Sequence, residues 1–165
     1  MKVESLRGLL IEQCQDLYSA ENQIIDALPK MIEKAKSPQL KTALNSHLGE
    51  TRNHVQRLDA IIGNLRAKAD EKDCKGMEGL LEEGEKALKD AKDDDVRDAA
   101  IIASAQRVEH YEIASYGTAR TFAQELGMND VAQQLQQTLD EEKNADIKLT
   151  EIATSHVNQQ ARKVA

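Results

Sequence analysis

The strongest constraint on this chain is a periodicity. Apolar residues recur at alternating steps of three and four through four long segments, and few residues interrupt them. That spacing keeps side chains on one face of an α-helix and scatters them over a strand. The first segment places Leu10, Cys14, Leu17, Glu21, Ile24 and Leu28 on one line, and the second Leu40, Leu44, His47, Thr51, His54 and Leu58, with Glu50 beside it. The third gives Ile102, Ala105, Glu109, Glu112, Tyr116 and Ala119. The fourth gives Met128, Ala132, Leu135, Leu139, Glu142, Asp146, Leu149 and Ala153. With only 2 Pro and 8 Gly in 165 residues, little stands in the way of long helices.

The breaks fall where helix ends belong. Ser37–Pro38 reads as an N-cap followed by a first-turn proline, "KDDDVRD" as an acidic helix start, Gly127 as a left-handed C-terminal residue and Asn129 as the next cap. Long helices are expected over about 3–35, 38–68, 94–126 and 129–160, with a short one near 76–91 beyond the polar break "ADEKDCKG". Two short joints make two antiparallel hairpins, and the long middle connection carries its own helix. The expected architecture is therefore a single all-α domain over residues 1–165. It is an antiparallel four-helix bundle with one crossover, the ferritin-like connectivity.

Charge narrows the partners. A net charge of −7 and a pI near 5.2 argue against nucleic acid and anionic membrane surfaces, which reward basic patches. No apolar run approaches the ~20 residues of a membrane span, and "MKVESLRGLL" lacks a signal-peptide core. Two distant cysteines make no disulfide framework, so a reducing cytoplasm is expected. Cys14 lies on an apolar face as a core thiol, whereas Cys74, in a polar connector, is open to reaction.

The stripes are interrupted by polar residues at matched heights. Glu21, Glu50, Glu109, Glu112, Glu142 and Asp146 all lie within about one turn, ~5 Å of rise, of their helix midpoints. In an antiparallel bundle these midpoints meet. Buried ionised carboxylates are costly unless paired or bound to a metal, and like charges this close oppose one another's ionisation. Arg52, Arg107 and Lys143 lie on the flanks rather than on the stripes. Divalent cations offset such a cluster directly. Oxygen-rich ligands with one or two imidazoles, from His47 and His54, suit iron or manganese, with zinc a third candidate. The alternative is a misphased reading in which several of these carboxylates face water. The familiar Glu-x-x-His signature is absent, since Asn53 follows Glu50 by three and Ala145 follows Glu142 by three. His110 points off its stripe, and His156 lies well below the site.

Five stretches carry a resemblance: "DLYSAENQI" (16–24), "HLGET" (47–51), "CKGMEGLLEE" (74–83), "VRDAAIIASAQRVEHYEIASYGTA" (96–119) and "LDEEKNADIKLTEIA" (139–153). On these the chain resembles the YciF-type (YciE/YciF) bacterial stress-protein family of the ferritin-like superfamily. That resemblance implies a cytoplasmic, dimeric, all-helical protein related to rubrerythrin. It implies Glu109 and Glu112 of "EHYE" as a Glu-x-x-Glu metal pair, Glu21 as the first-helix ligand, Glu50 as a bridging carboxylate and Glu142 as its partner. Without a rubredoxin-type cysteine site, electrons would come from an external donor. Tyr18 and Tyr116, one turn from Glu21 and Glu112, would bond a carboxylate, act as redox groups or simply fill the core. The functions that follow are a di-metal protein acting on peroxide or ferrous iron, a non-catalytic stress or adaptor protein with a degenerate site, or an iron-storing cage.

Overall fold

A computed structural model describes residues 4–69 and 72–164; the start of the first expected helix at residue 3 and part of the "ADEKDCKG" break lie outside the described residues. All regular structure among the described residues is helical. The elements are α1 (Leu6–Lys34), α2 (Pro38–Asn64), α3 (Lys75–Asp90), α4 (Asp94–Glu125), α5 (Asn129–Ile152), a π-helical turn (Ala153–Val157) and α6 (Asn158–Ala161). α1 packs against α2 and α4, and α5 against α4 and α2, while α3 lies mainly on α4 and touches α1.

Each helix starts on a side-chain acceptor where the sequence offers one. Ser5, Ser37 and Asp93 accept from the first-turn amides of α1, α2 and α4, and the Cys74 sulfur does so for α3. Asn129 is not a cap. It stands inside α5, which begins after Met128 without a side-chain cap bond. The reason lies in the preceding helix: the Met128 amide closes α4 on the Ala123 carbonyl, and the Gly127 amide closes it on Gln124. With Gly127 at φ +69° this is a Schellman ending, and it leaves no spare residue for a separate cap.

α2 ends in the same geometry, but with an arginine. Arg66 has φ +56°, and the Arg66 and Ala67 amides bond the Gly63 and Ile62 carbonyls. A Cβ in this region is strained by about 1 kcal/mol. Arg66→Gly is expected to raise stability by about 0.5–1 kcal/mol, read as a higher urea midpoint at unchanged slope. The Arg66 side chain is exposed, so little packing is lost.

The expected fourth helix does not run unbroken to 160. Ala145, Leu149, Ala153 and Val157 are buried at successive steps of four. Each such step drifts about 40° around a 3.6-residue helix, and the wider π-turn takes up that drift.

Two apolar clusters form the core. One gathers Ile24, Leu28, Leu40, Leu44, Ile101, Ala105 and Leu149, with Met77 and Leu88 of α3. The other gathers Leu10, Leu17, Leu58, Ile61, Tyr116, Ala123, Leu135 and Leu139. α1 and α5 run from the second cluster to the first, and α2 and α4 run the opposite way. A polar layer separates the clusters, and every long helix crosses it.

Candidate metal centre

The layer is built from stripe positions. On α1, Glu21 follows Leu17 by four and precedes Ile24 by three. The same steps place His47, Thr51 and His54 on α2, Ala105, Glu109, Glu112 and Tyr116 on α4, and Leu139 and Glu142 on α5. Glu21, His54, Glu112 and Glu142 are wholly buried, and His47 and Glu109 nearly so.

Two groups of side chains converge. In one, ligand atoms of His47, Glu109, Glu112 and Glu142 lie within 4.8 Å of one another; in the other, Glu21, His54 and Glu142 do. Glu142 belongs to both. His47 Nε2 stands 3.3 Å from Glu109 and 3.8 Å from Glu142. His54 Nδ1 stands 2.9 Å from Glu142 and 3.3 Å from Glu21. The Tyr116 hydroxyl, fully buried, donates to Glu21.

Most of the polar capacity here is unused. Among the described residues, both oxygens of Glu112 and of Glu142, one each of Glu21 and Glu109, both nitrogens of His47 and Nδ1 of His54 have no hydrogen-bond partner. Each buried polar atom left without a hydrogen bond costs about 1–3 kcal/mol, so the layer is a place where a bound group would be stabilising. Carboxylate oxygens and imidazole nitrogens that face one another without forming hydrogen bonds are the type of donor set a divalent cation takes.

The protonation pattern follows from burial and neighbours. Burial, then the charges of Glu142 and Glu21, pushes Glu109 and Glu112 well above the carboxylate range. Burial also raises Glu21, against the pull of His54. Burial alone would raise Glu142, but His54 and His47 hold it below its ordinary value. Burial opposes a charge on His54, yet the Glu142 and Glu21 carboxylates facing it push it up to about 10. His47 is raised too, its burial outweighed by Glu50, Glu142 and Glu21.

Not every expected residue joins the groups. Glu50 is partly exposed at the rim, with an oxygen 3.6 Å from the outer nitrogen of His47. It backs that imidazole rather than bridging. Asp146 is turned one step around α5, where it accepts from Gln106 and faces His110 at 3.3 Å. Ala145, three residues on from Glu142, takes the inward position, and Asp146 follows it about 100° around the helix. Tyr18 is only partly buried and lines an outer groove with Asn22 and Lys72. Arg52, Arg107, Lys143, His110 and His156 are exposed.

Cys74 is not an open thiol. It is buried, with Sγ 3.1 Å from Asp16 and 3.0 Å from the Tyr111 hydroxyl, which itself donates to Asp16 at 2.7 Å. Burial raises its pKa. Burial likewise pushes Cys14 up to about 12.

Glu141 is the residue that stripe reasoning misses. It accepts from His54 Nε2 at 2.8 Å and from Arg57 at 2.9 Å, and Arg57 also bonds Thr138. This chain fixes the far side of the His54 ring. Its only trace in the sequence is an adjacent pair, Glu141–Glu142, of which one had to point away.

The whole chain is similar to Protein YciF of Escherichia coli (strain K12), 42% identical over 168 residues and covering all of both chains. The crystal structure of that E. coli stress protein superposes with a TM-score of 0.89 at 42% identity, over 94% of this chain and 98% of that one. YcfI of Rhodopseudomonas palustris, described as a candidate structural protein, superposes with a TM-score of 0.88 at 43% identity, over 90% and 95%. A protein from Xanthomonas campestris shares the fold at a TM-score of 0.74 and 20% identity, over 96% and 98%. Among the described residues, no helix is long and apolar enough to cross a membrane. Residues 5–162 match the family described as "Domain of unknown function (DUF892)". The chain belongs to this family, that of the YciF-type proteins.

Proposed function

We propose that the polar layer is a di-metal carboxylate centre on a ferritin-like four-helix scaffold, and that the protein serves in the response to oxidative or metal stress. The observation that carries this is the set of buried, unpartnered carboxylate and imidazole atoms shared between two groups through Glu142. His47, Glu109 and Glu112 would hold one ion, Glu21 and His54 the other, and Glu142 both. Iron or manganese fits this oxygen-rich set best, with zinc the non-redox candidate. Such a pair of metals would supply redox chemistry, reducing peroxide with electrons from an external donor or from ferrous iron offered as substrate. Around it, Glu50 and Glu141 orient His47 and His54, and the Tyr116 hydroxyl holds Glu21. The apolar clusters on either side keep bulk water out.

The test is elemental analysis and anomalous scattering on protein purified without chelator, with thermal melts in added Mn²⁺ and Fe²⁺. About two ions per chain and a rise in the melting temperature are expected, because a ligand that binds only the native state stabilises it. A chain that holds no metal and gains no stability would leave the non-catalytic scaffold as the reading. The cytoplasmic homodimer and the external electron donor belong to this same proposal. Sedimentation separates a dimer from a cage.

Removing Glu141 should loosen His54 without deleting a ligand. Glu141→Ala is expected to weaken Mn²⁺ binding about 10- to 100-fold, measured by titration calorimetry.

The metal-free chain should also respond to pH with a defined sign. Glu109 and Glu112 stay protonated in the fold above their ordinary value of 4.5, and His54 stays protonated from 6.5 to about 10. Groups raised in the native state stabilise it at low pH and lose that contribution as pH rises through the folded value. Chelator-treated protein should therefore lose thermal stability between about pH 5 and 10. Mn²⁺ displaces those same protons, so the gain it confers should grow over the same interval.

A further inference from the structure

Two cavities meet behind the candidate centre. A groove of about 380 Å³ runs between α1 and α3, within the size range of small-molecule sites. A smaller cavity of about 40 Å³ lies on the other side of one wall, reaches His47, Glu50 and Glu109, and meets the surface at Ser46 and Lys148. The two share one wall, made of Ala27, Met31, Leu81 and Val108. Methionine changes rotamer at little cost, so Met31 makes this wall a partition rather than a barrier.

The groove is apolar inside and holds one unexplained polar group. Ser104 lines it, is 5% exposed, and its hydroxyl has no hydrogen-bond partner among the described residues. Gly84 of α3 faces it: a Cβ there would stand 3.6 Å from that hydroxyl. At the rim, Lys30 and Lys89 both pair with Glu85, at 3.6 and 3.4 Å. With Lys34 set against Asp26, Glu78 and Glu82, the rim charges nearly cancel. Three lysines face four carboxylates, so an anionic ligand is disfavoured. Ser104 and Glu109 are five residues apart on α4, about 7.5 Å along its axis. Ser104 shares a face with Val108, and Glu109 shares the next face with Ala105.

We propose that the α1–α3 groove and the cavity behind it form one binding site for an uncharged, elongated, largely apolar molecule with a hydrogen-bonding oxygen. Its oxygen bonds the Ser104 hydroxyl, and its inner end passes Met31 and Leu81 to meet His47 and Glu109. That the occupant is a substrate rests on the metal-centre reading; that it binds does not.

The probe is 1-octanol, titrated into the full-length metal-free chain and followed by amide and methyl NMR, with octanoate as the charged control. Saturable shifts are expected at Met31, Leu81, Ser104 and Val108, extending to His47, and octanoate should bind about tenfold more weakly. Ser104→Ala should weaken octanol about three- to tenfold, the worth of one hydrogen bond, at an unchanged melting temperature because the hydroxyl has no partner to lose. Ala27→Phe should abolish the shifts by filling the groove. No shift at the groove residues, an undiminished response in Ser104→Ala, or tighter binding of octanoate overturns the proposal. Metal uptake is measured on the same preparation. Octanol binding without metal uptake keeps the groove and sinks the metal reading, and metal uptake without an octanol response does the reverse.

Discussion

Replacing Glu142 by glutamine is expected to do the most damage of any single change in the polar layer, and in two ways. Glu142 is the one carboxylate common to both candidate groups, so its loss should remove metal uptake at both. It is also the anion that faces both buried imidazoles, 2.9 Å from His54 and 3.8 Å from His47. Those partners hold it ionised. An amide in its place takes from both histidines the buried carboxylate they share, leaving Glu21 and Glu141 beside His54 and Glu50 beside His47, and losing a charged partner in this way costs about 1.5–3 kcal/mol. Glu142→Gln should therefore unfold at clearly lower denaturant even after chelation. Glu112→Gln makes the contrast. Burial and the charges of Glu142 and Glu21 keep Glu112 protonated, so an amide closely mimics the form already present. The metal-free variant should match the parent or exceed it, while metal-induced stabilisation is lost. Equal effects of the two substitutions would refute this division of roles. The measurement is a pair of denaturant curves per variant, with chelator and with Mn²⁺.

Replacing Asp98 by alanine should be as costly, far from the candidate centre. Asp98 is a buried carboxylate of α4 that accepts from the Lys36 amide at 2.8 Å and the Ser37 amide at 2.7 Å. It thereby fastens the α1–α2 turn to α4 and presents Ser37 as the cap of α2. Alanine leaves two amides without their partner and opens a void, which together cost about 2–4 kcal/mol. Asparagine keeps one acceptor oxygen and should recover part of the loss. The shift belongs in the chemical midpoint of unfolding, with metal binding per folded chain unchanged, because no ligand atom is moved.

Much of the candidate centre was legible along the chain. Glu21, His47, His54, Glu109, Glu112 and Glu142 sit on their stripes among apolar residues, and all six are inside. The residues that strayed do so by small angles. Asp146 was read on its stripe and Glu50 beside one, and in the fold Ala145 takes the buried position, Asp146 stands against Gln106 and Glu50 lies at the rim. Sequence spacing tells which residues share a face, but not the width of the face that neighbouring helices cover. Cys74 shows the other kind of miss. A polar connector reads as exposed, yet Asp16 and Tyr111, from two other helices, close over the thiol.

What the sequence determined by itself is therefore local: the helices, most of their ends, and the polar interruption in each stripe. Backbone hydrogen bonds and side-chain period are properties of one segment, so they can be read from one segment. Only the tertiary structure decided that Glu142 rather than Glu50 stands between the two groups, that Glu141 and Arg57 back His54, that Asp98 holds a distant turn, and that a groove remains between α1 and α3. Each of these depends on the rotation of one helix about its axis relative to the next. Packing of the whole core sets that rotation, and no single segment encodes it.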